Sequence, residues 1–155
     1  MATSSATVEI SVATEATEEL LAAFAQLIPQ LSSSAPPMEL PVLTEIVSAP
    51  CSAVLLARDK TAGGKIIGAL TLVVFRIPTA VRAWIEDVVV DDRARGRGVG
   101  ELLTREAMSL AAKRGAQTID LTSRPSREAA RRLYERAGFS IRDTNVYRYV
   151  VPARE

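Results

Sequence analysis

The chain has 155 residues, 48% hydrophobic and 24% charged, an ordinary globular composition at the length of one domain, so residues 1–155 are read as a single domain. A formal net charge of +1 shows no overall basic excess pointing to nucleic acid. The absence of histidine excludes Ser-His-Asp triads, histidine bases and His-containing metal sites, and the lone Cys51 leaves no intrachain disulfide or CxxC cluster.

No stretch approaches the ~20 apolar residues of a membrane helix. Residues 1–8 carry neither a positive charge nor an apolar core, so no signal peptide is expected. A cytoplasmic protein that binds no membrane, nucleic acid or metal is the expectation. Charge is divided unevenly: six acids and no Lys or Arg precede Arg58, and nineteen bases stand against twelve acids from there on. The basic half is either a solvated face or a receiver for a polyanionic ligand.

In chain order, residues 8–12 alternate apolar with polar and predict a strand. Thr17 caps a helix over 18–28, which Pro29 closes. The Ser/Pro-rich stretch 32–37 is a loop, and 38–47 is a second helix. Cys51 reads as a small buried residue ahead of an apolar run. The runs 53–58 and 66–77 flank 60–64, which suits a β-hairpin connection. A strand over 82–90 follows, then a helix over 99–114 whose apolar positions recur at helical spacing and which Gly115 ends. Residues 118–122 predict a strand, Ser126 caps a helix to Ala137, and 146–151 form a final strand. The order implies an α+β fold with a mixed sheet.

The most informative segment runs from Glu86 to Glu101, where an apolar strand enters a turn with alternating Gly96, Gly98 and Gly100 and a helix begins. Glycines let backbone approach a ligand, a helix N-terminus offers unpaired amides and positive dipole, and Arg95 and Arg97 add charge. This combination points to a phosphate. A Walker loop is absent, because Gly63-Gly64-Lys65 continues into Ile66. The dinucleotide pattern GxGxxG is one residue longer than the Gly96–Gly100 run, although Asp120 lies near the position of a ribose-binding acid. A nicotinamide cofactor therefore stays open, against a chain short for a full dinucleotide fold.

A third reading is coenzyme A. Arg95-Gly96-Arg97-Gly98-Val99-Gly100 resembles the R/Q-x-x-G-x-G/A pyrophosphate signature of the GCN5-related N-acetyltransferase (GNAT) family. Ala130-Arg131-Arg132-Leu133-Tyr134-Glu135-Arg136-Ala137-Gly138-Phe139 is similar to that family's later A-x-x-L-Y-x-x-x-G-F segment. The resemblance implies a mixed, mostly antiparallel central sheet with helices on both faces and acetyl-CoA as co-substrate. It implies that the coenzyme lies along Val88, Val89 and Val90, with the peptide groups of Val88 and Val90 pairing with the pantetheine arm. The amides of Gly96, Arg97, Gly98, Val99, Gly100 and Glu101 would hold the pyrophosphate. Where the family commonly has asparagine, this chain has Arg127, which faces either solvent or a phosphate.

Acyl transfer to an amine needs a neutral nucleophile, a polarised thioester carbonyl and a proton for the departing thiolate. Tyr134 falls on the inward stripe Ala130, Leu133, Tyr134, Ala137. It is either a core tyrosine or, as the family motif implies, the acid. By strand alternation Glu86 shares a face with Trp84, Val88 and Val90, and Asp87 shares the other with Ile85 and Val89. One acid would then sit among apolar residues, where a carboxylate pKa rises, and Glu86 is the expected base. An ion pair of Glu86 with Arg82 or Arg76 is the structural alternative, and Asp120 is a weaker candidate base. The expected function is N-acetyl transfer by direct attack to a primary amine of a small molecule or peptide. A non-catalytic acyl-CoA-binding or regulatory module is the alternative. Acceptor choice is expected from the N-terminal helices, residues 36–40 and the last strands, where Tyr147 and Tyr149 either line a pocket or pack. A homodimer through residues 144–151 is also expected.

Overall fold

A computed structural model describes residues 5–154. Met1 to Ser4 and Glu155, which enter the single-domain and leader readings, lie outside the described residues. Five strands form one sheet in sequential order: β1 (Val8–Val12), β2 (Ser52–Asp59), β3 (Lys65–Ile77), β4 (Ala80–Val90) and β5 (Thr118–Asp120). The first four pair antiparallel and β4 pairs with β5 in parallel. The helices are α1 (Glu18–Leu31), α2 (Leu40–Ser48), α3 (Val99–Lys113) and α4 (Glu128–Ala137).

Helices cover both faces of the sheet, and the central strands are accordingly apolar on both sides. Leu20, Phe24 and Leu27 of α1 and Leu43 of α2 pack on Val54, Leu56, Ile66, Ala69 and Val89. Val99, Leu103, Ala107 and Ala111 of α3 pack on the opposite face against Leu55, Ala57, Leu70, Leu72 and Ile85. Burying one such aliphatic side chain contributes about 1.5–3 kcal/mol. Gly68 sets how closely α3 can lie, since a Cβ there would fall 3.0 Å from the Val89 carbonyl oxygen and 3.3 Å from Leu103 and Val99 side-chain atoms.

The expected mixed sheet and helices on both faces are present, with local departures. Thr17 caps α1, its hydroxyl accepting from the Leu20 N–H at 3.2 Å, but the helix runs through Pro29 to Leu31. Proline removes only its own N–H, so the last turn still closes by the Ser32 N–H donating to the Ile28 carbonyl at 2.9 Å. Cys51 is exposed rather than buried, because β2 begins only at Ser52. The N-cap of α4 is Arg127, not Ser126, and no side chain caps that helix.

The expected strand over 146–151 does not form: no helix or strand follows Ala137 among the described residues. Val146, Tyr147, Tyr149, Val150 and Val151 are 71–89% exposed. Strand propensity reflects packing against neighbours, and this segment pairs with no neighbouring strand.

Candidate functional site

β4 positions the site because its two edges are used unequally. Its β3 side is paired along the strand, whereas β5 pairs only Arg82, Ala83 and Trp84 and stops. From Ile85 to Val90 no strand lies on that side among the described residues. The Asp91 N–H donates to the Ile67 carbonyl at 2.8 Å, so Asp91 faces β3. By strand alternation from Asp91, Val89 faces β3 as well and the peptide group of Val90 faces the open side. Val89 pairs with Ala69 and its side chain is buried.

The alternation expected around Glu86 is also corrected. The β3–β4 register passes from Thr71↔Glu86 to Ala69↔Val89, so two residues of β4 oppose Leu70 alone. Asp87 takes the left-handed conformation at this bulge, with φ 49°. The extra residue reverses which side chains face which layer. Val88 and Val90 pack with Ile85 toward α3, while Val89 turns to the α1 face. Glu86 therefore does not share a face with Val88 and Val90. Glu86 and Asp87 are both exposed, so neither acid is buried among apolar residues as expected. No ion pair joins Glu86 to Arg82 or Arg76 among the described residues.

After Val90 the chain makes a short 3-10 turn over Asp92–Ala94 and enters the glycines. Gly96 and Gly98 have φ 77° and 74°, which side chains rarely adopt, and Gly98 is the N-cap of α3. Gly100 lies where α4 packs on α3: a Cβ there would fall 3.0 Å from Leu133 Cδ1, which would have to shift. No side chain caps α3, and its first intrahelical bond is donated by Leu102. The N–H groups of Val99, Gly100 and Glu101 thus stand at the positive end of the helix dipole. The Val99 side chain is buried in the core, so only its backbone can serve a ligand.

Side chains around this turn are tied into the fold. Arg95 pairs with Asp92 at 2.7 Å, both exposed. Arg97 donates from Nη1 to Asp59 Oδ2 at 2.6 Å. Glu101 accepts from Arg105 at 2.9 Å and lies 3.6 Å from Arg136 of α4; the hydrogen bond from Arg105 leads in holding its carboxyl below the usual range. The Asp92 N–H donates to Gln30 Oε1 of α1 at 2.9 Å. Asp59, Thr61 and Gln30 carry no motif and were not expected at the turn. For Asp59 and Thr61 the available signal is the spacing Asp-x-Thr, which favours a side-chain-to-backbone turn.

Tyr134 is half-buried on α4, its ring 5.8 Å from that of Phe139 in an edge-on pair. Burial pushes the phenol pKa up, and the nearby Arg127 cation pulls it down by less. Asp120 ends β5 and lies 3.7 Å from Arg142. A hollow of about 310 Å³ lined by Gln26, Gln30, Asp91, Asp92 and Arg93 flanks the turn on its α1 side. Among the described residues no group of three or more His, Cys, Asp or Glu could hold a metal, and no helix is long and apolar enough to cross a membrane.

An open strand edge running into uncapped helix amides fits an extended ligand that pairs like a strand and ends in phosphate. In a mixed sheet of this order, that is the architecture of an acyl-coenzyme-dependent transferase fold. The chain belongs to the acetyltransferase (GNAT) family, whose model matches residues 16–139, a family that uses acetyl-CoA as co-substrate. It is 37% identical over 71 residues to N-alpha-acetyltransferase 30 of Schizosaccharomyces pombe, covering 46% of this chain and 47% of that protein. The chain thus spans about half the length of that curated relative.

Solved structures agree on the fold. Glucosamine-6-phosphate N-acetyltransferase from Arabidopsis thaliana superposes with a TM-score of 0.75 at 22% identity, over 92% of this chain and 98% of that one. An aminoglycoside acetyltransferase from an uncultured soil metagenomic sample, in complex with sisomicin, reaches 0.81 at 16% identity, over 94% and 97%.

Proposed function

We propose that this chain moves the acetyl group of acetyl-CoA to a primary amine of a small molecule or peptide by direct attack. One observation carries the reading: the β4 edge left open beyond Trp84 leads into the uncapped amides of Val99, Gly100 and Glu101, where Val88 and Val90 would pair with the pantetheine arm. The relatives support it at the level of their names, which include an N-alpha-acetyltransferase and a sugar-phosphate N-acetyltransferase. Bound there, the coenzyme supplies a thioester whose carbonyl carbon forms the new bond to nitrogen while its C–S bond breaks.

The chain's own residues hold the anion and move two protons. The backbone from Gly96 to Glu101 takes the pyrophosphate, with the helix dipole favouring negative charge. Glu86 takes the proton from the attacking amine, directly or through water; its exposure leaves it accessible to both. Tyr134 gives its phenolic proton to the departing sulfur. A thiol pKa near ~8.5 lies below that of a phenol near ~10, and burial raises the phenol further. Donation is therefore timed with C–S cleavage rather than preceding it.

Tyr134→Phe lowers turnover about a hundredfold or more while leaving coenzyme binding intact; unchanged turnover in a thiol-release assay removes Tyr134 from the mechanism. Glu86→Gln cuts the rate most at low pH, where the acceptor arrives as an ammonium, and a flat response across pH removes Glu86. The alternative, a non-catalytic acyl-CoA-binding module, binds the coenzyme and releases no thiol with any amine. The exposed segment 144–151 pairs two copies of the chain: sedimentation velocity then reports twice the 16.7 kDa chain mass, and the single mass excludes the dimer.

A further inference from the structure

We infer that Asp59 is a positioning residue for the glycine-rich turn, holding Arg97 as a strut so that the amides at the start of α3 stay aimed at the pyrophosphate. This deepens the acetyl-CoA reading and rests on it.

Asp59 ends β2, 38 residues before Arg97, and it is only 5% exposed. A buried carboxylate needs its oxygens satisfied, and both of these are. Oδ1 accepts from the Thr61 N–H at 2.9 Å and from the Thr61 hydroxyl at 2.7 Å. Oδ2 accepts from Arg97 Nη1 at 2.6 Å. The carboxylate is thus fixed by its own hairpin before it reaches the turn, and Arg97 is the group it holds.

Arg97 lies between Gly96 and Gly98, the two left-handed glycines. Nothing lies within 4 Å of a Cβ built at either glycine, so packing does not fix them. A turn of two such glycines has a large conformational entropy when unrestrained. The Arg97–Asp59 bond ties its centre to the β2–β3 hairpin, as the Gln30–Asp92 bond ties its start to α1. With its charge matched by Asp59, Arg97 acts as a brace, and phosphate recognition falls to backbone N–H groups. Prior ordering of those donors removes a cost that binding would otherwise carry.

The test is calorimetric titration of the full chain with CoA, for the wild type, Asp59→Asn, Arg97→Gln and the double variant. Each single variant weakens CoA binding about tenfold, and the double variant weakens it no more than either, as one shared interaction requires. Hydrogen exchange without CoA then shows faster exchange at amides 96–101 in Asp59→Asn, with core amides of β3 and α3 unchanged.

CoA affinity unaltered by Asp59→Asn, or a loss for Arg97→Gln tenfold beyond that for Asp59→Asn, overturns the inference; the second result makes Arg97 a direct phosphate ligand. Faster exchange throughout the core marks Asp59 as a general structural residue and overturns it too. Where Asp59→Asn does not fold, Thr61→Ala, which loosens one Asp59 oxygen, carries the same comparison. A wild-type chain that binds no CoA overturns the coenzyme reading itself, a failure distinct from any difference among variants.

Discussion

Asp59 is held well below the usual carboxylate range, chiefly by the hydrogen bond from Arg97 and next by that from the Thr61 hydroxyl. A carboxyl depressed in the folded state stabilises it fully above the unfolded value near ~3.9, and that contribution fades as pH falls toward the folded value. Between about pH 5 and pH 2, denaturant unfolding of the wild type therefore loses stability more steeply than that of Asp59→Asn. Parallel acid limbs would show that Asp59 titrates alike in both states. At this scale the sequence discloses residues whose demands are local. Gly96 and Gly98 are legible because left-handed backbone favours glycine. The Asp59–Arg97 bond is not, since it joins positions far apart in the chain. The bulge at Asp87 escapes for another reason: no glycine marks its left-handed residue, so unbroken alternation puts Glu86 on the wrong face.

The placement of α3 on the sheet is set at Gly68. A methyl group there meets the Val89 carbonyl oxygen, which belongs to a paired strand and cannot swing aside as a side-chain tip can. Gly68→Ala therefore destabilises the protein by about 1–3 kcal/mol, the ordinary cost of overpacking, measured as a shift in denaturation midpoint. Equal or greater stability would mean that α3 has room to rise from β3. The elements themselves are largely legible, because both-face burial writes apolar runs for β2, β3 and β4 and helical spacing for α1 and α3. Their ends are less so. Pro29 does not stop α1, because the turn around it closes through Ser32. Residues 146–151 have strand composition and no partner strand, and pairing is what composition cannot supply.

Across the whole molecule, the sheet is continuous from β1 to β4 and opens where β5 ends. The open edge, the left-handed turn and the start of α3 follow one another within sixteen residues, from Glu86 to Glu101. That contiguity is why the candidate site is legible in sequence while its bracing from β2 and α1 is not. It also makes one measurement the most direct: calorimetric titration of the full chain with acetyl-CoA, with NAD(P)H as control. Saturable micromolar binding of acetyl-CoA, with none for NAD(P)H, is the predicted result. No acetyl-CoA binding at millimolar concentration would contradict the assignment of the open β4 edge and the glycine-rich turn as a coenzyme site.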